Sequence, residues 1–84
     1  MALFMDIHEN LPAGTTPEDV AGAHAADLAT QDRYGVSYRS YWVDEVQGKA
    51  FCLVEAPDAE TAALVHKEAH GLVADRIHPV VEGR

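Results

Sequence analysis

Cysteine, basic residues and long apolar runs are all scarce in this sequence of 84 residues. The one cysteine, Cys52, excludes an internal disulfide and any iron–sulfur or zinc site built from several thiolates. Six basic residues stand against 14 acidic ones, for a net charge of −8, which argues against nucleic acid or an anionic membrane surface as a partner. No apolar run approaches membrane-spanning length and no leader-like segment opens the chain, so we expect a cytoplasmic protein.

Strand and helix signals alternate along the chain without a linker or repeat, so we expect one domain over residues 1–84. Thr16 can cap a helix that Pro17 opens, while Gly35 and Gly71 are typical of helix ends. The predicted elements are strands over residues 3–9, 36–44, 50–56 and 76–82, with helices over 17–34 and 57–71. Their β-α-β-β-α-β order predicts the α+β class, as a ferredoxin-like sandwich with a four-stranded antiparallel sheet and two helices on one face.

In that fold one face of the sheet meets the helices, and the other face needs solvent or a partner. If the odd-numbered residues from Leu3 to Ile7 face the helices, His8 points to the opposite side of the sheet. On the third strand, Phe51 and Leu53 would then form an exposed apolar patch. This patch predicts a homodimer formed through the sheet.

Five histidines in a chain of this length are the main functional signal. His66 and His70 stand four residues apart on the second helix, so their side chains leave it in nearly the same direction. Neutral imidazole is a common ligand of zinc, nickel and copper. In the predicted topology His8 ends an upward strand, the helical pair ends the ascending helix, and His78 begins the descending last strand. This convergence on one rim indicates a metal site, two sites, or a site completed across a dimer.

Four of the five histidines also have an interpretation without a metal. His24 lies on the inner stripe of the first helix, where it is either a core residue paired with Asp27 or part of a polar pocket with Asp6. The pair on the second helix is compatible with a solvated edge beside the apolar stripe, neither buried nor fully outward. His78, on a short final strand, is more typical of an ordinary surface residue.

Two catalytic motifs are excluded by their details. The run from His66 to His70 resembles the His-Glu-x-x-His motif of metalloproteases, but Glu68 comes one place too late and points away from both histidines. Cys52 stands in the apolar run 51–54, where a small buried thiol is more typical of packing than of a nucleophile. The sequence therefore predicts neither a peptidase nor a thiol enzyme.

Several blocks of the sequence resemble a family of small actinobacterial proteins long described as a domain of unknown function. The blocks are Phe-Met-Asp-Ile-His-Glu (4–9), Ala-His-Ala-Ala-Asp-Leu (23–28), Tyr-Trp-Val-Asp (41–44), Phe-Cys-Leu-Val-Glu-Ala-Pro (51–57) and Val-His-Lys-Glu-Ala-His-Gly (65–71). The resemblance implies a ferredoxin-like fold, nickel binding and a homodimer. It also implies ligand positions at His8, His24 and His66, with His70 close to another. Glu9 stands where many relatives have a second histidine.

We therefore predict a homodimer that binds a divalent transition metal ion, nickel foremost and zinc or copper as alternatives, for buffering or sequestration. The candidate ligands are His8, His24, His66 and His70, with Asp6, Glu9 and Asp27 as further ligands or as carboxylates that orient the imidazoles. A binding protein is favoured over an enzyme, because no catalytic motif survives.

Two alternatives remain open at this point. In a small enzyme of the dimeric α+β-barrel kind, His8, Asp6 and Tyr41 would perform acid–base chemistry on a small organic molecule. An apolar pocket lined by these groups would favour that enzyme, whereas a histidine cluster at the rim would favour a metal. Scattered, separately solvated histidines would indicate a plain interaction module.

Overall fold

The computed structural model describes residues 1–83, and its helices and strands follow the predicted order. The elements are β1 (Ala2–His8), α1 (Pro17–Thr30), a 3₁₀ helix (Gln31–Tyr34), β2 (Ser37–Asp44), β3 (Lys49–Ala56), α2 (Ala59–Ala69) and β4 (Arg76–Pro79). The four strands form one sheet in the order β2-β3-β1-β4, and every neighbouring pair is antiparallel. This arrangement is ferredoxin-like, so the predicted fold class is confirmed.

Reciprocal hydrogen bonds fix the start of α1. Thr16 Oγ1 accepts from the Asp19 amide at 3.1 Å, and an Asp19 carboxylate oxygen accepts from the Thr16 amide at 3.0 Å. Such a cap stabilises a helix start by about 1 kcal/mol, and Pro17 supplies a preset φ at the first helical position. The α-helix ends at Thr30, earlier than predicted, because the next four residues tighten into the 3₁₀ helix before Gly35 turns left-handed at φ 65°.

The second helix begins behind Asp58, whose carboxylate accepts from the Thr61 amide at 2.7 Å. Gly71, at φ 80°, turns the chain away after α2, as the sequence predicts. The last strand is shorter than predicted and ends at Pro79, after which the Val80 amide donates one more bond to the Leu3 carbonyl. Within the described residues, neither helix is long and apolar enough to cross a membrane.

The face of β1 that meets the helices is the opposite of the predicted one. Phe4, Asp6 and His8 are buried under α1 and α2, whereas the odd-numbered residues from Leu3 to Ile7 are half-buried on the outer face of the sheet. Apolar residues occupy both faces of this strand, so alternation alone did not identify the inner one. Asp6 and His8 decide which face is the inner one, because the helices supply partners for these two polar side chains.

The core lies between the sheet and the helices. Its buried members are Phe4, Val36, Tyr38, Cys52, Val54, Ala56, Ala62 and Val65. On the outer face, pairing places Ile7 beside Phe51 and Met5 beside Leu53. Leu53 is 9% exposed and Phe51 is half-buried, so this apolar strip is less exposed than predicted. Beside it on β2, Trp42 is 52% exposed.

Candidate metal centre

The imidazole of His66 lies at the centre of a buried charged cluster. Its Nδ1 atom is 2.9 Å from Asp27 Oδ1, and its Nε2 atom is 2.9 Å from Asp6 Oδ2. His66 is 1% exposed, so the alternative of a solvated helix edge does not apply to it. The ring can be buried because α1 and β1 each bring a carboxylate to one of its nitrogens.

Three donor atoms form a nearly equilateral triangle on the helix side of His66, and we call this group the outer triad: Asp27, His66 and His70. Asp27 Oδ1 is 2.9 Å from His66 Nδ1 and 3.1 Å from His70 Nε2, and the two imidazole nitrogens are 3.1 Å apart. Ligands that bind one ion at about 2.1 Å and at right angles to one another lie about 3.0 Å apart. The triad therefore matches one face of an octahedral site.

A second group of donor atoms lies on the sheet side of the same ring, and we call it the inner tetrad: Asp6, His8, Cys52 and His66. One donor atom from each residue lies within 4.8 Å of all the others, and all four residues are buried. His8 Nε2 is 3.4 Å from Asp6 Oδ1, and the His8 and His66 ring centroids are 5.0 Å apart. The sequence argument that separated His8 from His66 is wrong, because it rested on the inverted face of β1.

Two atoms of the inner tetrad lack a bonding partner that a metal ion could supply. Asp6 Oδ1 and His66 Nε2 are buried, and neither makes an aligned hydrogen bond with any described residue. His66 Nε2 is close to Asp6 Oδ2, but without the alignment that a hydrogen bond needs. Carboxylate, imidazole and thiolate are all ligands of divalent transition metals. The donor set therefore fits such an ion.

The protonation states of the metal-free cluster follow from the short distances between its imidazoles and its carboxylates. Burial acts to raise the pKa of Asp6, but the close imidazoles of His66 and His8 outweigh burial and hold the pKa well below its usual range. Burial likewise acts to raise the pKa of Asp27, and His66 and His70 lower it. For His66, burial acts to lower the pKa, but the two carboxylates raise it to about 11. At neutral pH the cluster therefore holds two carboxylates around one imidazolium.

Tyr38 and Cys52 complete the surroundings of Asp6. The Tyr38 hydroxyl lies 3.1 Å from Asp6 Oδ2 and 2.9 Å from the Ala62 carbonyl oxygen, and its ring stacks on His66 with centroids 4.3 Å apart. Burial raises the pKa of Tyr38, and the Asp6 charge raises it further, so the hydroxyl keeps its proton. Burial also raises the pKa of the Cys52 thiol to about 11. Without a metal ion, Cys52 is therefore a neutral thiol and no nucleophile.

The tautomer of His70 is set by the turn that follows α2. The Leu72 amide donates to His70 Nδ1 at 3.1 Å, so the proton of a neutral His70 ring lies on Nε2. A metal ion bound at Nε2 would move this proton to Nδ1, where it would meet the Leu72 N–H. Metal binding by the outer triad therefore requires the Leu72 amide to turn away.

A cavity of about 350 Å³ opens beside both donor groups. His8, Asp27, Cys52, His66 and His70 form its polar floor, and its walls come from the loop before α1, from α1 itself and from Leu72. His24 and Tyr41 meet at the cavity with ring centroids 4.8 Å apart. His24 therefore lines a pocket instead of pairing with Asp27, whose carboxylate contacts His66 and His70.

The structure brings together five of the candidate ligands and separates two. The five are His8, His66, His70, Asp6 and Asp27. His24 lies on the cavity wall, outside both donor groups. Glu9 forms an ion pair with Arg76 at 2.6 Å and is not part of the cluster. His78 is exposed opposite Met5 on the outer face of the sheet, so the predicted convergence holds without it.

Sequence reasoning missed Cys52 and Tyr38 as parts of this cluster. Cys52 was assigned to packing, and it is buried, but pairing of β1 with β3 places it directly beside Asp6. Tyr38 pairs with Val54 on the inner face of the sheet. The strand register would have indicated both residues, once the inner face of β1 was known.

The fold and the buried donor atoms together define a small ferredoxin-like protein with a candidate transition-metal site. Residues 4–80 match the family described as nickel responsive protein, SCO4226-like, and the chain belongs to this family. The family resemblance read from the sequence is thereby confirmed. The crystal structure of SCO4226 from Streptomyces coelicolor A3(2) is similar at a TM-score of 0.90 and 38% identity, covering 99% of this chain and 100% of that chain. No curated protein matches the chain.

Proposed function

We propose that this protein binds a divalent transition metal ion, nickel foremost, and buffers or sequesters it. The observation that carries the proposal is the triangle formed by the donor atoms of Asp27, His66 and His70, with edges of 2.9, 3.1 and 3.1 Å. The family description, nickel responsive, agrees with the metal but does not state that the ion is bound. The buried and incompletely bonded atoms of the inner tetrad add support.

The two donor groups favour different ions. The outer triad offers two nitrogens and one oxygen and leaves three positions open toward the cavity, which suits six-coordinate nickel. The inner tetrad offers two nitrogens, one oxygen and one sulfur, which suits four-coordinate zinc or copper. Raw affinity follows the Irving–Williams order, so nickel selectivity depends on the octahedral face of the triad.

Calorimetric titration of metal-free, untagged protein tests this proposal. Nickel should bind with a Kd below about 100 μM, roughly −5.5 kcal/mol. His70→Ala should weaken binding at least about thirtyfold, because it removes one of the three donor atoms of the outer triad. His78→Ala, at an exposed position outside the cluster, is the matched control. Absence of binding by nickel, zinc and copper, or equal affinity of the His70→Ala protein, would contradict the proposal.

We further propose that two copies associate through the outer face of the sheet. The apolar strip of Phe51, Ile7, Leu53 and Met5 lies there, with the half-exposed Trp42 beside it. Phe51→Asp should convert the dimer to a monomer in light scattering, because it places a charge in the middle of the contact. Val46→Asp, at a hairpin residue that is 95% exposed, should leave the mass unchanged. A monomeric starting protein would exclude this dimer.

The cytoplasmic location, the single-domain organisation and the absence of a nucleic-acid partner stay predictions from composition and charge. The enzyme alternative required an apolar pocket lined by reactive groups, and such a pocket is present. His8 and Tyr41 reach it, but Asp6 does not line it. This arrangement favours binding of a small molecule over acid–base chemistry by the three residues together.

A further inference from the structure

The cavity beside the donor groups is larger than a metal ion needs. Its volume of about 350 Å³ compares with about 30 Å³ for one water molecule and with about 300–1,000 Å³ for pockets that hold small organic ligands. Apolar side chains form much of its wall, namely Leu11, Pro12, Ala13, Val20, Ala23 and Leu72. A hydrated ion would leave these apolar walls in contact with water, so the cavity is better suited to a ligand with an apolar organic part.

The charges around the cavity restrict the charge that a ligand can carry. Asp19 and Asp27 both line it, and no lysine or arginine does so among residues 1–83. The one cation on the cavity floor, the His66 imidazolium, is already paired with Asp6 and Asp27, so carboxylates and phosphates are disfavoured beside the carboxylates of Asp19 and Asp27. The rings of His24 and Tyr41 offer an aromatic surface on the wall. Charge and shape therefore favour an uncharged aromatic molecule.

We propose that the cavity binds a small uncharged heteroaromatic molecule, with its ring between the apolar walls and one nitrogen directed at the polar floor. In the metal-free protein the imidazole of His8, which lines the floor, is the group available to that nitrogen. Coordination of the nitrogen to a bound ion rests on the proposed metal function, whereas the cavity site does not.

Titration with phenylimidazole, followed by amide NMR shifts at about pH 8 where the probe is uncharged, tests the site. The protein is used both metal-free, in the presence of a chelator, and after loading with nickel. We expect saturable shifts in residues of the cavity wall in the metal-free protein. In the nickel-loaded protein, binding measured by calorimetry, since six-coordinate nickel is paramagnetic, should be at least about tenfold tighter, because the nitrogen gains a coordinate bond.

Two variants of one helix provide the matched comparison. Ala23→Leu extends a side chain into the cavity without changing a donor atom, and should weaken phenylimidazole binding at least about tenfold. Ala25→Leu makes the same change at an exposed position of α1 and should leave the affinity within about twofold. If Ala23→Leu does not fold, Ala13→Phe, in an exposed loop of the cavity wall, tests the same space.

The outcomes separate this inference from the metal function. Saturable phenylimidazole binding by a chain that takes up no metal would support the cavity site and contradict the metal proposal. Metal binding, without phenylimidazole binding to either the metal-free or the nickel-loaded protein, would support the metal proposal and contradict the cavity site. Benzoate, of similar size but anionic, should bind the metal-free protein at least about tenfold more weakly. Equal affinity for benzoate, or no effect of the cavity-filling variants, would overturn the assignment.

Discussion

His66 on α2 and Asp27 on α1 are 39 residues apart in the chain, yet their Nδ1 and Oδ1 atoms lie 2.9 Å apart in the protein interior. The opposite nitrogen of the same ring is equally close to Asp6 on β1. One imidazole therefore joins both helices to the sheet. The same contact gives the fold part of its stability and gives the candidate metal site its central ligand.

Replacement of His66 should destabilise the metal-free protein strongly. His66→Ala leaves Asp6 and Asp27 buried without their shared cation, and loss of one partner from such a cluster costs about 3–5 kcal/mol. Urea denaturation measures this change in the free energy of unfolding. The exposed His78→Ala substitution should change it by less than about 0.5 kcal/mol. A loss below about 1 kcal/mol for His66→Ala would show that the carboxylates do not depend on the imidazole.

The free energy of unfolding of the metal-free protein should be highest in mildly acidic solution. The folded pKa of His66, about 11, lies above its ordinary value of 6.5, so its contribution is complete below pH 6.5 and is lost as the pH rises toward 11. The pKa values of Asp6 and Asp27 are lowered, so their contribution is present above 3.8 and is lost as the pH falls below it.

Urea curves at about pH 5, 7 and 9 check this pH profile. Above pH 6.5 the free energy of unfolding should fall by at most about 1.4 kcal/mol per pH unit for this one group. Asp27→Asn should flatten that fall, because it removes one of the two carboxylates that raise the pKa of His66. A stability that rises from pH 5 to pH 9 would contradict the protonated state of the buried ring.

Metal binding at the outer triad should change the turn after α2. The Leu72 amide donates to His70 Nδ1 in the metal-free protein, and metal coordination at Nε2 places a proton on that acceptor. We expect amide exchange at Leu72 to accelerate when nickel is added, as measured by hydrogen–deuterium exchange in mass spectrometry. The Thr61 amide, which donates to Asp58 at the other end of α2, is the internal control. Unchanged exchange at Leu72 in saturated protein would place the ion away from His70 Nε2.

Removal of the Tyr38 hydroxyl should destabilise the fold moderately. Tyr38→Phe removes the one buried hydroxyl proton available to Asp6 and the Ala62 carbonyl, at a cost of about 1–3 kcal/mol. Tyr34→Phe, whose hydroxyl bonds the partly exposed Glu68, should cost less than about 1 kcal/mol. Thermal or urea unfolding of the two variants gives the comparison. Equal losses of unfolding free energy in the two variants would show that burial does not strengthen the hydrogen bond of the Tyr38 hydroxyl.

The element order was predictable because helix caps and turn residues are local signals. Thr16, Pro17 and Asp58 mark the helix starts through contacts within three residues. The order of elements then determines the ferredoxin-like topology, and the topology brings His8 close to the end of α2. The nearness of His8 to the end of α2 was therefore predictable without knowledge of any side-chain contact.

The inner face of β1 could not be read in the same way. Leu3 and Ile7 alternate with Phe4, Asp6 and His8, so hydrophobicity alone favours the wrong face. The polar pair is buried because its partners are distant in the sequence, above all His66, which stands 60 positions after Asp6. A sequence pattern records the polarity of a side chain but not the distant group that neutralises it.

The loop before α1 closes one side of the cavity, and the Leu11 amide fixes it to the Gly48 carbonyl of the β2–β3 turn at 2.9 Å. The lining also includes Tyr41 on β2 and His24 on α1. A molecule held there would therefore touch both layers of the sandwich at once.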